Sequence, residues 1–396
     1  MRKYKKVASY VLTMILASSL AGMPVKAMES QQRNETTVHV KVVDNLTNEI
    51  IEYDIADEQV TSSISDQNMK TGEQKVEMKK MLDTMPMTIR ESDKEYIFDI
   101  QIKACAGGHS GYVEIAGFHT NVICVKKDDE IIREKAYEEQ GSSCATDRSL
   151  LTVEKIIEFA DCVDVADVEE VLQRQIDYNW AIAEEGMTGN WGAAIGKTLM
   201  EAYGNSVHNR AKAMAAAGSD ARMNGCELPV VINSGSGNQG MTTSLPVIVY
   251  AKELNVSKEM MLRALVVSNL ITIHMKTGIG RLSAYCGAIS AGCGAGAGIC
   301  YLYGGRAYEI SHVIVNAVAI NSGVVCDGAK ASCAAKIASA VEAGLLGLQM
   351  QKNGKQFYGG DGLVEKGVEN TIRNIGELAK KGMRETDKTI IQIMTR

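Results

Sequence analysis

Residues 286–300 read Cys-Gly-Ala-Ile-Ser-Ala-Gly-Cys-Gly-Ala-Gly-Ala-Gly-Ile-Cys, and residues 326–348 form a second long run of small and apolar residues. Both runs are apolar on nearly every face of a helix, and such a helix is buried inside a large core. Small side chains also let neighbouring helices approach closely. These two stretches therefore predict helix-on-helix packing in the bulk of the chain.

The same character extends from about Ser149 to the end of the chain, where strand patterns are almost absent. Helical periodicity and apolar runs predict helices over residues 152–172, 191–203, 207–217, 258–273, 282–303, 307–322, 330–350 and 364–383. Residues 241–254 are a further candidate helix after a glycine-rich segment. We expect residues 146–396 to form one compact all-helical domain.

The region before this domain carries a different pattern. Residues 36–53 alternate apolar and polar side chains around Asn45, which predicts a hairpin. Further strands are predicted over residues 94–104, 112–115 and 120–126, with turns at 107–108 and 128–129, a loop over 57–70 and a short helix over 72–85. The fold class is therefore α+β, with a small α+β domain over residues 29–145 followed by the large helical domain.

Composition excludes some classes of function. The chain has 396 residues, of which 45% are hydrophobic, so it is long enough for two folded domains with a substantial core. Its net charge is -6, and no basic stripe interleaved with aromatic residues is present. A general nucleic-acid-binding role is therefore not expected.

Residues 1–28 form a separate, signal-like hydrophobic segment. Basic residues at the start precede a mostly apolar run over 7–23, and Val-Lys-Ala at 25–27 resembles a cleavage site, as in a secretory signal peptide. The run is too short and too rich in Ser and Thr for a membrane span. The alternative is an amphipathic N-terminal helix of a cytoplasmic protein, and both interpretations stay open.

The segment 234–240 reads Ser-Gly-Ser-Gly-Asn-Gln-Gly. Glycines allow close backbone approach, and successive free N–H groups before a helix bind carboxylate or phosphate groups. Neither a P-loop nor a dinucleotide-binding fingerprint is present. The segment predicts an anion-binding loop, with a tight loop between helices as the alternative.

Three of the ten cysteines, Cys286, Cys326 and Cys333, are candidate metal ligands. Cys326 and Cys333 are two helical turns apart, about 10 Å, which is too far to share one iron. A four-iron cluster, or a local break at Gly328, would reconcile this distance. Three thiolates on such a cluster leave one iron open as a Lewis acid. On spacing alone, buried thiols packed among small residues are the better interpretation.

The remaining candidates are weaker. Cys293 and Cys300 are interpreted as core thiols, and the six histidines show no zinc-binding pattern. His119 lies at a predicted turn before a strand, where it would face a pocket or remain structural. Arg222 would either hold a substrate carboxylate with its two-pronged guanidinium group or pair with Asp220.

Four motifs together carry a family resemblance. Residues 219–223 (Ser-Asp-Ala-Arg-Met), 234–240, 281–286 (Arg-Leu-Ser-Ala-Tyr-Cys) and the Cys-Asp-Gly-Ala-Lys-x-x-Cys pattern at 326–333 resemble the L-cysteine desulfidase (UPF0597-type) family. This family is related to the α-subunit domain of iron–sulfur L-serine dehydratases. His119-Thr120-Asn121 and the ending at residues 385–388 are also similar to it, and the resemblance covers roughly residues 75–396.

The resemblance implies a lyase that converts L-cysteine to pyruvate, ammonia and sulfide, or a related serine deaminase, with a [4Fe-4S] cluster and without pyridoxal phosphate. Cys286, Cys326 and Cys333 would hold the cluster. The substrate, a small amino acid, would be bound by Ser234, Gly235, Ser236, Gly237, Asn238, Gln239, Arg222 and His119. Such an enzyme would be cytoplasmic, with no nucleic-acid or membrane partner; export through residues 1–27 and a homo-oligomeric state are left open.

The sequence departs from the family at its start. Members begin with a Pro-Ala-Leu-Gly-Cys-Thr-Glu-type segment, whose cysteine is a candidate catalytic base, and carry a later Lys-Asn-Gly segment. Neither segment is present where the family carries it, because that place holds the signal-like stretch and the 36–70 hairpin region. No residue is therefore nominated as the base that removes the α-proton, and a catalytically degenerate relative that binds a cluster or an amino acid is the alternative function.

Overall fold

A computed structural model describes residues 37–43, 50–56, 99–106, 108–117, 121–137 and 148–395 except 281 and 282, together with Thr88, Ser92, Lys94 and Tyr96. The chain divides into two compact units between Ala145 and Thr146. Within the described ranges, no helix is both long enough and apolar enough to cross a membrane. The predicted loop at 57–70, the predicted helix at 72–85 and the signal-like residues 1–28 lie outside these ranges.

The first unit contains antiparallel strands. β1 (Thr37–Val43) pairs with β2 (Ile50–Ala56), as the alternating pattern predicted. A separate sheet has the order β3 (Asp99–Ala106), β4 (His109–Ala116), β5 (Val122–Lys127) and β6 (Glu130–Glu134), each strand antiparallel to the next. β6 was not predicted, because its adjacent Ile131 and Ile132 are both exposed and break the alternation of an ordinary edge strand.

The second unit is helical, so the chain has an α+β fold with a large helical domain. Its helices are α1 (Val153–Cys162), α2 (Val165–Thr188), α3 (Ile195–Tyr203), α4 (Val207–Met223), α5 (Gly237–Glu253), α6 (Lys258–Ile279), α7 (Gly287–Leu302), α8 (Ala307–Ile320), α9 (Cys333–Lys352), α10 (Val368–Glu377) and α11 (Arg384–Thr395).

Two predicted helices differ from the structure. The predicted helix 152–172 is divided at Asp164, whose carboxylate caps α2 by accepting the N–H of Ala166 at 3.0 Å. The predicted helix 364–383 is α10 followed by a π-helical turn at Leu378–Gly382, after which α11 was not predicted. Helix α2 continues to Thr188, beyond the predicted end at residue 172. The prediction stopped early because Gln175 and Asn179 are polar residues that are buried with hydrogen-bond partners, so the apolar periodicity is interrupted in the sequence.

Glycines set the direction of helix packing around α7. A Cβ atom on Gly292 would lie 2.2 Å from the carbonyl oxygen of Ala340, and one on Gly296 would lie 2.9 Å from that of Gly344. These contacts advance together along α7 and α9, so the two helices run parallel with their backbones in close contact. Gly298 gives the same kind of contact with α6, because a Cβ atom on it would lie 2.9 Å from the carbonyl oxygen of Ala264.

Helix α5 is also parallel to α7, because Gly294 faces Thr243 and Gly298 faces Val247. Helix α6 runs in the opposite direction, since the same two glycines face Thr272 and Ala264 in reverse order. The N-termini of α5, α7 and α9 and the C-terminus of α6 therefore lie at one end of the helical core. Three helix N-termini present partial positive charge and free N–H groups at this end.

Candidate active site

Cys286 and Cys326 are brought together by a short antiparallel ladder. Tyr285 and Val325 form an isolated β-bridge. On either side of it, the N–H of Cys286 donates to Val324 at 3.2 Å and the N–H of Cys326 donates to Ala284 at 2.6 Å. Cys286 lies opposite Val324, and Val324 is two residues from Cys326 in the same strand. Since side chains two residues apart in a strand share one face, both cysteines lie on the same face of the ladder. Cys286 is also the N-cap residue of α7.

Cys333 reaches the same end of the domain as the first residue of α9. Gly328 has a φ of +88°, a left-handed conformation that suits glycine and turns the chain after Cys326. The N–H of Lys330 then donates to the Cys333 sulfur at 3.4 Å. Cys326 and Cys333 therefore do not lie on one helix, and the break at Gly328 is the alternative that the structure bears out.

The Cys286 and Cys326 thiols interact through a hydrogen bond and through their charges. Cys286 donates a hydrogen bond to the sulfur of Cys326, which together with burial raises the pKa of Cys286. The same bond lowers the pKa of Cys326, and a backbone N–H at Gly328 and the nearby Lys336 also lower it, against the effect of burial. Burial raises the pKa of Cys333. In this pair the thiolate is therefore favoured at Cys326.

Cationic side chains from several elements surround the cysteines. The ammonium group of Lys336 donates to the carbonyl of Val325 at 3.0 Å and pairs with Asp327. Burial lowers the pKa of Lys276. The negative charges of Cys326, Cys286 and Asp387 act in the opposite direction and raise it. Burial also lowers the pKa of Arg222, and Cys333 opposes this shift. The surroundings thus favour negative charge among the cysteines.

The glycine-rich segment lies beside this cluster. Ser236 caps α5, and its hydroxyl accepts the N–H of Gln239 at 3.4 Å. A Cβ atom on Gly287, directly after Cys286, would lie 2.6 Å from the amide group of Gln239. One on Gly237 would lie 2.5 Å from the Arg222 guanidinium group. Segment 234–240 therefore lies between Arg222 and the N-terminal end of α7, where Cys286 is located.

Two polar groups here are only partly satisfied. Arg222 donates to the side-chain oxygen of Asn238 at 3.2 Å. The amide oxygen of Gln239 is buried and accepts no hydrogen bond from the part of the chain that the structure describes. Buried polar atoms without partners are uncommon in native proteins and mark sites of strain, chemistry or a bound group.

Asp220 does not pair with Arg222, contrary to one of the two roles predicted for that arginine. Its Oδ2 atom accepts the N–H of Gly196 at 3.1 Å and so caps α3 from a neighbouring helix, whereas its buried Oδ1 atom accepts no hydrogen bond from the described residues. Asp220 therefore has a structural task, and the guanidinium group of Arg222 is left for the site.

Two further candidates come from the structure: Lys276 escaped the sequence analysis, and Asp387 was noted there only as part of the family-like ending at 385–388. Lys276, in the last turn of α6, is 6% exposed and lies among the groups already described. Asp387, in α11, accepts the N–H of Ala284 and so supports the ladder that carries Cys286. The hydroxyl of Ser283 donates to the carbonyl of Ala379 in the π-helical turn at 3.1 Å. Segment 378–387 thus fastens one end of the ladder.

Five further described cysteines are either buried thiols or exposed residues outside the site, and a sixth, Cys226, is partly buried. Cys293 and Cys300 are buried inside α7 at 1% and 2% exposure, where burial raises the pKa of each to about 12. Cys105 and Cys162 are exposed, and Cys124 is buried in the first unit. His119 lies outside the described residues, so its predicted substrate contact remains a prediction.

A separate cavity of about 420 Å³ lies away from the cysteines, lined by Trp180, Met187, Met200, Arg210, Ala213, Met214, Val249, Lys252 and Glu253. Its charged groups already have partners, because Arg210 pairs with Glu253 and the Lys252 ammonium lies 3.2 Å from the centre of the Trp180 ring. The cysteine end of the core is therefore the better candidate for chemistry.

Comparison with known proteins identifies the family of this chain. The family model for the serine dehydratase alpha chain matches residues 56–392. The chain belongs to this family. The match includes all three candidate cysteines, segment 234–240 and Asp387.

Within the serine dehydratase alpha chain family, this protein is similar to proteins of the UPF0597 group. It is 60% identical to a UPF0597 protein of Desulfitobacterium hafniense over 81% of this chain and 75% of that protein. It is 52% identical to one of Lachnoclostridium phytofermentans over 74% of this chain and 70% of that protein. A UPF0597 protein of Finegoldia magna is 44% identical over 85% of this chain and 79% of its own length.

Proposed function

We propose that this protein is an iron–sulfur amino-acid lyase that converts L-cysteine to pyruvate, ammonia and sulfide. The observation that carries the proposal is the assembly of Cys286, Cys326 and Cys333 at the end of the core where three helix N-termini meet. The membership of the serine dehydratase alpha chain family supports an elimination reaction on a small amino acid.

We infer that the three thiols hold a cluster and not a single ion. No group of three or more His, Cys, Asp or Glu side chains in the described part of the chain converges in a way that would hold one metal ion. A [4Fe-4S] cluster takes one thiolate per iron, so its ligands surround a volume and need not meet at a point. The nearby Lys276, Lys336 and Arg222 would balance the negative charge of such a group.

Cys286, Cys326 and Cys333 would hold the cluster, which supplies a Lewis-acidic iron with an open position for the substrate. Arg222 and the N–H groups at the start of α5 would bind the substrate carboxylate, because a guanidinium fork and a helix N-terminus both match that group. The unpartnered Gln239 oxygen would accept a hydrogen bond from the α-amino group.

The same residues suit L-serine, whose leaving group is a hydroxyl in place of a thiol. Segment 234–240 and Arg222 contact parts of the substrate that the two amino acids share. We favour L-cysteine because the motifs at 281–286 and 326–333 resemble the desulfidase family.

The decisive experiment is anaerobic reconstitution with iron and sulfide, followed by assays with L-cysteine and L-serine. We expect a brown protein that binds iron and acid-labile sulfide and releases sulfide and pyruvate from L-cysteine. A colourless, iron-free protein after reconstitution would contradict the proposal.

The main rival is a relative that binds a cluster or an amino acid without turnover. Calorimetry with L-cysteine distinguishes the two. Heat of binding without release of pyruvate would support the rival, whereas turnover would exclude it.

A further inference from the structure

A buried asparagine of α2 holds the chain just before segment 234–240. Asn179 is 0% exposed, and its side-chain oxygen accepts the N–H of Val231 at 2.9 Å. Its side-chain nitrogen donates to the carbonyl of Val231 at 3.3 Å and to the hydroxyl of Ser244, in α5, at 3.1 Å. Both backbone groups of Val231 are thus paired by one amide side chain, which fixes the position of this residue relative to α2.

Val231 in turn lies against the first turn of α5. A Cβ atom on Gly240 would lie 2.0 Å from the carbonyl oxygen of Val231, so the two backbones are in direct contact. The hydroxyl of Ser244 donates to the carbonyl of Gly240 at 2.8 Å. Asn179 therefore holds both sides of this contact, Val231 directly and Gly240 through Ser244.

A pair of amide side chains holds Asn233 in a similar way. Gln175, in α2, and Asn269, in α6, donate to each other's side-chain oxygens at 3.0 and 2.8 Å. The side-chain nitrogen of Asn233 donates to the side-chain oxygen of Asn269 at 2.9 Å and to its carbonyl at 3.2 Å. Gln175 and Asn233 are 3% and 4% exposed, so water has little access to these bonds.

The residues after Asn233 form a tight turn with a costly backbone conformation. Asn233 and Ser236 exchange two backbone hydrogen bonds of 3.1 Å, and Ser234 and Gly235 between them have φ values of +50° and +82°, as in a type I′ turn. For a residue with a Cβ atom, such as Ser234, this conformation persists only where the surrounding structure holds it. The Ser234 hydroxyl donates to the side-chain oxygen of Asn233 at 2.9 Å, so the anchored asparagine provides that support.

We propose that four amide side chains are positioning residues, which hold segment 234–240 in the conformation that binds the substrate carboxylate. This amide framework consists of Gln175, Asn179, Asn233 and Asn269. The inference rests on the carboxylate binding by this segment that the proposed function includes. N–H groups at the start of a helix bind an anion well when their direction is fixed beforehand. The carboxylate is present in the substrate and in the transition state alike, so the framework acts on KM and not on kcat.

The test compares kinetic constants in the reconstituted full-length protein. Asn179→Ala removes both bonds to Val231, so the start of α5 is held less firmly. We expect KM for L-cysteine to rise by about 10- to 100-fold, as for weakened hydrogen bonds to a charged group. The change in kcat should stay below about threefold, since uniform binding is lost. Iron content should be unchanged.

Asn316, in α8, is a matched control because its side chain makes the same kinds of contact elsewhere. It is also 0% exposed, accepts the N–H of Phe357 at 3.0 Å and donates to the carbonyl of Gly347 at 3.3 Å. Gly347 lies near the C-terminus of α9, about 20 Å along the helix from Cys333 at its N-terminus. Asn316→Ala should lower the thermal unfolding midpoint by an amount similar to that for Asn179→Ala and leave KM unchanged.

Gln175→Leu is a second variant, in case Asn179→Ala does not fold. It removes one member of the amide pair, whereas Asn233 keeps its bonds to Asn269, so KM should rise by a smaller factor of about three to ten. Its control is Gln173→Leu on the same helix. Gln173 donates to Asp177 at 2.8 Å on the surface, so this change should leave KM unaltered.

Three results would overturn the inference. The first is an unchanged KM in both Asn179→Ala and Gln175→Leu. The second is an equal rise in KM in Asn316→Ala, because any loss of stability would then have the same effect. The third is a fall in kcat at constant KM, since the framework would then act on the chemical step.

Calorimetry with L-cysteine separates this inference from the proposed function. Wild-type protein that binds L-cysteine without turnover would refute the lyase, whereas weaker binding in Asn179→Ala, with normal binding in Asn316→Ala, would still support the amide framework. Wild-type protein that loads iron but binds no L-cysteine would refute both.

Discussion

Helix α7 carries two kinds of cysteine. Cys286 precedes its first turn, in a ladder with Cys326 and beside cationic side chains, whereas Cys293 and Cys300 lie inside the helix among small residues. All three are mostly buried and are spaced by seven residues. Burial raises the pKa of Cys293 and Cys300 to about 12, so both remain protonated thiols at neutral pH.

The comparison teaches that burial and spacing do not make a cysteine reactive. What distinguishes Cys286 is a backbone outside the helix, a second thiol from a distant segment and nearby cations. Its own pKa is also raised, by the hydrogen bond to Cys326 and by burial, so the thiolate of this group is favoured at Cys326. A cysteine inside a helix, surrounded by Gly and Ala, packs as a small hydrophobic residue.

The largest expected effect is on cluster loading when the cysteines themselves are replaced. Cys286→Ser and Cys333→Ser should abolish cluster loading, because a serine hydroxyl is a poor substitute for an iron-bound thiolate. Cys300→Ser should still load iron, at a stability cost of about 1–3 kcal/mol for a buried hydroxyl. Iron analysis after anaerobic reconstitution provides the measurement, and equal loss in all three variants would mean that these cysteines serve packing alone.

A smaller effect is expected at the ladder's support. Asp387→Ala removes the acceptor of the Ala284 N–H, so the Cys286 backbone is held less firmly and iron affinity should fall by about 10- to 100-fold. Asp387→Asn keeps an acceptor oxygen and should restore much of it. Iron retention during titration with a chelator measures both.

The control for this prediction is Glu385→Ala on the same helix. Glu385 pairs with Lys388 on the surface, so its removal should not alter iron affinity. An equal fall in this variant would point to a general loss of α11 and not to the ladder.

The smallest effects contrast two glycines of α7. Gly292→Ala would place a Cβ atom 2.2 Å from the backbone of α9, so the free energy of unfolding should fall by about 1–3 kcal/mol. Gly287→Ala meets only the movable Gln239 amide group, so stability should change by less than about 1 kcal/mol. Substrate affinity should instead weaken, measurably by calorimetry. The contrast fails if both variants lose stability and neither loses affinity.

Much of the fold could be predicted from the sequence, because long apolar and small-residue runs give a strong helical signal. The ends were less predictable. Polar residues that are satisfied inside the core, such as Gln175 and Asn179, resemble exposed ones in a sequence, so the second half of α2 was missed. The π-helical turn at 378–382 has no periodic signature, and α11 beyond it was missed as well.

The site could be predicted only in part. Cys286, Cys326, Cys333 and Arg222 were singled out by motif, and the break at Gly328 was one of two alternatives. The ladder was not foreseen, because a bridge of one residue pair leaves no pattern. A lone lysine near the end of an apolar helix resembles a solvent-exposed helix terminus, so Lys276 gave no signal until its burial was known. Whether these residues act as proposed stays a prediction.

The ladder between residues 283–286 and 324–326 also bears on when metal would enter. Cys286 and Cys326 are separated by 40 positions, and α7 and α8 lie between them. A local Cys-x-x-Cys pair can capture iron on an unfolded chain, whereas this set of thiols exists only after α7, α8 and α9 have packed. Cluster insertion would therefore follow folding, and the apoprotein would already have a folded helical core before it binds the cluster.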